Sequence, residues 1–168
     1  MRRRRISNAD AELLSVRTAR FEDVAAILRL VEEAIETGCR NHYDPVQRRA
    51  VFLGYAANMF VDVLGPFETV TGELGGALAA VAQLDVGRGG LRALFVGGAF
   101  QGQGIGRALL DHVEARARAA GCRQLGGAMS LNAVPFYTRA GYRQSDDPER
   151  LLTAGVRVPV VRMAKSLR

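Results

Sequence analysis

The sequence predicts an α/β or α+β fold built as a single domain. Strand-like apolar runs alternate with segments in which apolar residues recur every three or four positions. A glycine-rich hexamer, Gln-Gly-Gln-Gly-Ile-Gly at 101–106, stands between an apolar run at 91–96 and a helical pattern at 107–119. A chain of 168 residues is long enough to bury a sizeable core in one domain.

The first half of the chain yields four elements. Residues 13–18 alternate enough for a first strand. An apolar helical stripe then follows two acidic residues and predicts a helix that stops near Gly38. Asp44 can cap a second helix whose first residue is Pro45. Residues 59–64 are predicted as a strand ended by a Gly-Pro pair, whereas 68–73 could extend a strand or form a turn.

The second half alternates strands and helices around the hexamer. The periodicity of 75–84 permits a helix, and the composition of 91–96 predicts a strand buried on both faces. After the hexamer, apolar residues step by four along one helix face until Gly121 ends it. They are Ile105, Leu109, Val113 and Ala117. A strand at 124–130, a short helix at 135–140 and a last strand at 156–165 complete the prediction.

The composition of the chain excludes several classes of function. No apolar run reaches the roughly 18 residues of a membrane span, and no secretory signal follows the basic start. We therefore expect a cytoplasmic protein with no membrane partner. Two cysteines, Cys39 and Cys122, cannot form a disulfide framework, and no Cys/His spacing indicates a metal site. Cys122 is expected to be a small core residue rather than a nucleophile.

The basic charge is concentrated at the N-terminus. Residues 2–5 are all arginine, so they supply four of the net six positive charges and leave the rest of the chain near neutral. We expect residues 1–10 to be a disordered basic tail and 11–168 to be the domain. An arm that touches nucleic acid is the alternative. No aromatic interleaving or second basic cluster accompanies it, so we do not expect nucleic-acid binding.

The hexamer predicts a phosphate or pyrophosphate site. The first amides of a helix lack internal partners and lie at the positive end of its dipole, and glycines let a phosphate approach the main chain. A dinucleotide fingerprint fails because the sixth position from Gly102 is Arg107, and no P-loop sequence is present. The alternative is a tight turn that binds nothing.

The pattern Gln101-x-x-Gly104-x-Gly106 resembles the coenzyme A pyrophosphate loop of the GNAT superfamily, the acetyl-CoA-dependent N-acetyltransferases. Downstream, Ser-Leu-Asn-Ala-Val-Pro-Phe-Tyr-Thr-Arg-Ala-Gly-Tyr at 130–142 is similar to the superfamily's signature of an asparagine, Phe-Tyr and Gly-Tyr or Gly-Phe. This resemblance, over 13–165, implies a mixed, mostly antiparallel central sheet flanked by helices, with a strand at 75–84. It also implies acetyl transfer from acetyl-CoA to a primary amine of a small molecule or peptide.

The same resemblance assigns roles to particular residues. Those assigned to the coenzyme are Phe95, Val96, Gln101, Gly102, Gln103, Gly104, Ile105, Gly106, Arg107 and Asn132. Backbone donors near Phe95 would meet the thioester, although its side chain also suits a core. Asn132 has a second interpretation as a helix cap. Tyr137 is the candidate general acid, since a phenol of pKa about 10 is neutral at pH 7. The alternative for Tyr137 is a half-buried structural tyrosine.

The general base is where the chain departs from the family. Many relatives carry a carboxylate on the strand before the loop, but the strand at 91–96 has none. The acceptor is expected between the loops at 38–45 and 65–72. There Arg40 is a candidate partner for an anionic group, and His42 a candidate acceptor contact or base.

Without a nucleophilic cysteine, we expect direct transfer in a ternary complex. The alternatives are a longer acyl-CoA donor and a CoA-binding regulatory or adaptor module with degenerate catalysis. The acceptor and the oligomeric state, a homodimer included, are left open by the sequence.

Overall fold

The computed structural model describes residues 14–65, 67–145 and 149–168. The strands are β1 (Ser15–Thr18), β2 (Glu68–Leu74), β3 (Ala77–Asp85), β4 (Gly90–Val96), β5 (Gln124–Ser130), β6 (Arg143–Gln144), β7 (Glu149–Thr153) and β8 (Val156–Ser166). The helices are α1 (Val24–Gly38), α2 (Pro45–Leu64), α3 (Ile105–Ala119) and α4 (Val134–Arg139). The predicted basic tail at 1–10 lies outside the described residues.

The eight described strands form one sheet, in the order β1-β2-β3-β4-β5-β8-β6, and β7 also pairs with β8. Neighbouring strands are antiparallel except β4 and β5, which are parallel. This arrangement confirms the mixed, mostly antiparallel sheet. None of the helices in the described part of the chain combines the length and the apolar character that crossing a membrane requires.

Helices cover both faces of the sheet. On one face, α3 buries the predicted stripe of four apolar residues against β3, β4 and β5, and α4 packs into the same cluster. On the other face, α1 buries Ile27 and Val31 against Val81 of β3. The helical periods read from the sequence therefore correspond to the two faces that are buried.

Helix α2 begins as predicted but continues much further. The Asp44 side chain accepts a hydrogen bond from the Gln47 amide at 2.8 Å, and the Gln47 side chain accepts one from the Asp44 amide at 3.2 Å, forming a capping box. The helix then runs to Leu64, so the strand predicted at 59–64 is wrong. A short apolar run cannot be distinguished from helix by periodicity alone, and here a capped helix propagates into it until Gly65. The ambiguous segment after it is strand β2.

Strands β4 and β5 pair at one position and diverge beyond it. Gly90 and Gly126 are their single pair in register, and the Gly126 amide donates to the Gly89 carbonyl at 3.0 Å. A side chain on Gly89 would overlap the Gln124 carbonyl oxygen, and one on Gly127 would overlap that of Leu91. Glycines thus let the two backbones approach closely at one end of the pair. Toward Val96 and Ser130 the strands leave a wedge between them.

We expect Gly127→Ala to lower the free energy of unfolding by about 1–3 kcal/mol, because a methyl group would force the Leu91 carbonyl and β5 apart. Thermal melting should show a loss of several degrees, at roughly 2–4 °C per kcal/mol for a domain of this size.

Gly87→Ala is the matched control for this substitution. Its added carbon would lie 3.5 Å from the Asp85 carboxylate, an ordinary contact, and the site is exposed. It should change the unfolding free energy by no more than about 0.5 kcal/mol. Equal stability of the two variants would show that the glycine contact does not constrain the wedge.

Candidate active site

The glycine-rich loop presents an uncapped helix N-terminus. Gly104 is the N-cap residue of α3, has φ +82° and offers no side-chain cap, and Gly102 has φ +73°. The first helical bond runs from the Ala108 amide to the Gly104 carbonyl at 3.0 Å. The amides of the first turn, at 105–107, therefore have no helical acceptor. These residues fit an anionic group such as a pyrophosphate.

The side chains of the two loop glutamines form hydrogen bonds that stabilise the loop itself. The Gln101 side-chain amide donates to the Val96 carbonyl at 3.0 Å, and the Gln103 side-chain amide donates to the Ala99 carbonyl at 2.7 Å. The first bond ties the loop to the end of β4, and the second ties it to the 3-10 turn at Gly98–Phe100. The side chains of Gln101 and Gln103 thus support the loop's shape, which leaves main-chain amides as the natural anion donors.

Gly106 allows the loop, β4 and α4 to meet. A carbon added to it would lie 3.3 Å from Val96 Cγ2 and 3.5 Å from Phe136 Cε2. Arg107, next along α3, is exposed and forms an ion pair with Asp111 at 2.9 Å. The last glycine of the motif therefore allows close packing at this point, and its assignment to the coenzyme stays a prediction.

A cavity of about 290 Å³ lies in the wedge between β4 and β5. Phe95 and Tyr137, assigned to the coenzyme and to catalysis from the sequence, both line it. Phe95 also packs edge-on against Tyr55 of α2, with ring centroids 5.4 Å apart. Phe95 is therefore part of the packed core and of the cavity wall, and its assignment to the coenzyme stays a prediction.

Tyr137 is buried, with 4% of its surface exposed. Its ring makes edge contacts with Phe136 and Tyr142, at centroid distances of 5.0 and 5.2 Å. Burial raises the pKa of Tyr137 above its usual value near 10, so the phenol stays protonated at neutral pH. A neutral phenol in the cavity wall can donate a proton but cannot serve as a base.

Tyr43 anchors the wall of the cavity on the side of α1 and α2. Its hydroxyl donates to the Pro159 carbonyl at 2.7 Å and accepts from the Leu131 amide at 2.9 Å. This side chain ties the α1–α2 turn to β8 and to the segment after β5. Tyr43 also lines the cavity, and the sequence offered no signal for it beyond its place beside Asp44.

Asn132 does not cap the short helix. Its Oδ1 accepts a hydrogen bond from the Cys39 thiol at 3.2 Å, while Ala133 is the N-cap residue of α4 and makes no side-chain cap bond. Burial raises the pKa of Cys39 to about 11, so this thiol is neutral and a poor nucleophile. Cys122 is half-buried and donates to the Val86 carbonyl at 3.1 Å, as expected of a structural residue.

Arg40 and His42 lie on the exposed turn between α1 and α2 and do not line the cavity. Their assignment to the acceptor stays a prediction. No cluster of metal-ligating side chains occurs among the described residues.

The cavity lining, within the described residues, contains no aspartate, glutamate or histidine and one charged residue, Arg92. This side chain is exposed at a register shift in β4 and lies over the Phe67 ring, 4.0 Å from its centroid. The expectation that β4 is buried on both faces is therefore wrong. The strand splays from β5, so Arg92 is exposed and Leu94, Phe95 and Val96 are only partly covered. An arginine inside an apolar strand was the signal that sequence analysis passed over.

A model of the acetyltransferase (GNAT) domain family matches residues 58–167. A search of curated proteins found no match. Among solved structures, a GCN5-related N-acetyltransferase from Rhodopseudomonas palustris superposes with a TM-score of 0.85 at 24% identity, over 91% of this chain and 95% of that one. PaiA N-acetyltransferase from Thermoplasma acidophilum, in complex with coenzyme A, has a TM-score of 0.69 at 13% identity, over 91% and 98%.

A phosphinothricin acetyltransferase from Sinorhizobium meliloti, in complex with acetyl-CoA, has a TM-score of 0.64 at 17% identity, over 92% of this chain and 88% of that one. At these identities the structures show a shared fold. The family model covers more than half of the chain, and the chain therefore belongs to the GNAT acetyltransferase family.

Proposed function

We propose that this protein is an N-acetyltransferase that moves the acetyl group of acetyl-CoA to a primary amine by direct transfer in a ternary complex. Membership of the family makes it an acyltransferase that uses an acyl-CoA. The observation that carries the finer proposal is the combination of two features beside β4. The glycine-rich loop after that strand leads to a helix terminus with free amides, and the wedge beside the strand holds a buried, protonated Tyr137.

The coenzyme fits along this arrangement. The uncapped terminus of α3 would hold its phosphates. Beyond Gly90, the edge of β4 that faces the wedge has no strand partner among the described residues. Its main-chain groups, except the Val96 carbonyl that Gln101 bonds, are therefore available to amides of the pantetheine arm. When bound, acetyl-CoA supplies the thioester that reacts. Asn132 is placed by its bond to Cys39 at the cavity's α1 side, and its assignment to the coenzyme stays part of this proposal.

The proposed reaction forms one bond and breaks one. The nitrogen of the neutral amine attacks the thioester carbonyl carbon, a C–N bond forms and the C–S bond breaks. The nitrogen loses one proton to solvent, and Tyr137 gives one to the departing sulfur and regains one from solvent. The products are the N-acetylated amine and free CoA. The raised pKa of Cys39 and the structural position of Cys122 support transfer without an acyl-enzyme.

Desolvation takes the place of a general base in this proposal. Presenting a lysine-like amine neutral at pH 7 costs roughly 4–5 kcal/mol, given its pKa near 10.4. An apolar cavity without carboxylates lowers the pKa of a buried amine, because the ammonium form loses its hydration and finds no counter-charge. The positive charge of Arg92 also lowers the pKa of an amine bound in the cavity. The neutral nucleophile is therefore favoured by the cavity itself.

Two other functions remain as competing proposals. The lack of a carboxylate or histidine in the described cavity lining favours a CoA-binding regulatory or adaptor module. The apolar lining is also compatible with a longer acyl donor. A panel of primary amines assayed for acyl-CoA-dependent CoA release separates the three. Turnover with acetyl-CoA supports the enzyme, turnover only with longer donors supports the second enzyme, and coenzyme binding without turnover supports the module.

We expect acetyl-CoA to raise the melting temperature, because a ligand of the native state stabilises it by mass action. At 100 times Kd the gain is about 2.7 kcal/mol, or roughly 5–10 °C here. Arg107→Glu and Gly106→Glu should abolish most of this shift, since each places a carboxylate against the phosphates. NAD or ATP should stabilise much less.

Arg107→Glu is the sharper variant, because Arg107 is exposed and at its position no backbone strain arises. Arg123→Glu makes the same charge change at an exposed residue that lines neither cavity nor loop and should keep the full shift. If all three nucleotides stabilise alike, or if Arg107→Glu keeps the shift, the loop does not bind the coenzyme.

We expect Tyr137→Phe to lower kcat roughly 10–10³-fold while the affinity for acetyl-CoA changes little, because it removes a proton donor and keeps the ring. Steady-state kinetics with an active amine measures this. Tyr142→Phe is the matched control, since Tyr142 is equally buried and touches Tyr137 but does not line the cavity. Unchanged turnover in Tyr137→Phe would remove Tyr137 from catalysis.

We expect log(kcat/KM) to rise with pH, with a slope near one, up to the pKa of the free amine, since no described side chain in the cavity supplies a base. The raised pKa of Tyr137 keeps the acid protonated, so no descending limb should occur below about pH 10. Initial rates from pH 6 to 10 test both features. A plateau well below the amine's pKa would reveal an enzymic base.

A further inference from the structure

We infer that the acceptor of this enzyme has an apolar body with an amine at one end and a carboxylate, or an equivalent anionic group, at the other, which Arg92 binds. This inference rests on the proposed function, because it concerns the acceptor half of the same cavity. It moves the anion contact from Arg40, where the sequence pointed, to a residue on β4.

The acceptor half of the cavity is apolar. Val51 and Tyr55 of α2 form one wall, and Val158 and Val160 of β8 form the other. At about 290 Å³, the volume shared with the acetyl end accommodates a small ring or branched chain but no large one. A polyamine would bring two or more ammonium groups into a lining without a described carboxylate, and would lose their hydration uncompensated.

Arg92 stands where this cavity meets an open groove. The groove, of about 1030 Å³, lies over the part of the sheet beside β5 and β8, and Arg92 and Leu151 line both spaces. Arg88 and Arg143 also line the groove, against Asp85 as its carboxylate among the described residues. The excess of arginine makes the entrance to the cavity attractive to an anion.

The side chain of Arg92 is positioned to bind a carboxylate. Its guanidinium carbon lies over the Phe67 ring, 4.0 Å from the ring centroid, and the side chain has no ion pair among the described residues. A cation–π contact does not use up the N–H donors of a guanidinium, so they can bind a carboxylate with two hydrogen bonds. The aromatic ring therefore positions the cation without neutralising it.

The position of Arg92 also sets the shape of the acceptor. It precedes Phe95 by three residues, so the two α-carbons are separated by about 10 Å of strand. The reacting amine belongs near Phe95 and Tyr137, at the coenzyme's end of the cavity. An anionic group on Arg92 is then separated from the amine by an apolar spacer, as in an aminomethyl-substituted aromatic acid.

The test uses two nearly isosteric compounds, 4-(aminomethyl)benzoate and 4-(aminomethyl)benzamide, which differ in charge. Their N-acetylated products are titrated into CoA-bound protein by calorimetry, so the result does not depend on turnover, and kcat/KM of the amines is measured beside it. We expect the benzoate product to bind about 5–10-fold more tightly, as a charge-assisted hydrogen bond at a partly solvated arginine would give. The kcat/KM values should show the same ratio.

Three arginine-to-methionine variants locate the anion contact, each first shown to keep the rise in melting temperature caused by acetyl-CoA. Arg92→Met should reduce the ratio to about one. Arg40→Met and Arg123→Met should leave the ratio within about twofold of its value in the unmodified protein. Arg123→Met is the control, because Arg123 is exposed and lines neither the cavity nor the groove. Loss of the ratio in Arg40→Met instead would return the contact to the α1–α2 turn and overturn the inference.

The outcomes separate this inference from the proposed function. If the benzoate product binds preferentially through Arg92 but no amine turns over, the anion subsite stands and the enzymatic proposal fails. If other amines turn over and the ratio in the unmodified protein is near one, the enzyme stands and the subsite fails. If neither product binds to the CoA-bound protein, the proposed anion subsite is also wrong.

Discussion

The structure depends on the place where β4 and β5 touch. Gly90 and Gly126 are in register, and Gly127 lies against the Leu91 carbonyl so closely that no side chain fits between them. Parallel strands held at one point and covered by different helices on each side can diverge beyond it. The divergence exposes one edge of β4 and opens the cavity that Phe95 and Tyr137 line. The close contact at three glycines is thus a structural condition for both the coenzyme site and the acceptor site that we propose.

Sequence reasoning succeeded where one element determines its own structure. The capping box at Asp44, the four-residue steps of α3 and the glycine loop at its N-terminus depend on neighbouring residues, and each was found. It failed at 59–64, where a helix that begins at Pro45 continues through the apolar run to Leu64, because a short apolar run does not distinguish strand from helix. It also failed for β4, because burial of a strand depends on its neighbour, and the splay from β5 has no local signal. Tyr43 and Arg92 were missed for the same reason, since their importance arises from contacts distant in sequence.

The chemistry of the cavity follows from what its walls contain. Thiols and phenols buried there have raised pKa values, so Cys39, Tyr43 and Tyr137 are all neutral at physiological pH. A cavity of neutral groups with a cation at its mouth disfavours ammonium and favours a neutral amine. The neutral walls also disfavour thiolate, so a departing sulfur needs a proton donor close by, and Tyr137 is the neutral donor that we propose. The absence of a carboxylate on β4 is then consistent with catalysis, provided that the amine is desolvated before it reacts.

The proposed selectivity for the acceptor amine depends on a rigid cavity wall near the α1–α2 turn, which is called the acceptor wall below. The α1–α2 turn is exposed at Arg40 and His42, yet one residue later Tyr43 is anchored to Pro159 and Leu131 by two hydrogen bonds. The same turn carries Cys39, which bonds Asn132 at the start of the segment leading to Tyr137. Two polar ties therefore connect the acceptor wall to β8 and to the segment that carries the proposed acid. Because both ties are partly buried, displacement of the wall would leave polar groups unsatisfied at a cost of about 1–3 kcal/mol each. The cavity is accordingly a preformed space, and we propose that it selects its acceptor by shape and charge rather than by closure of a loop around the amine.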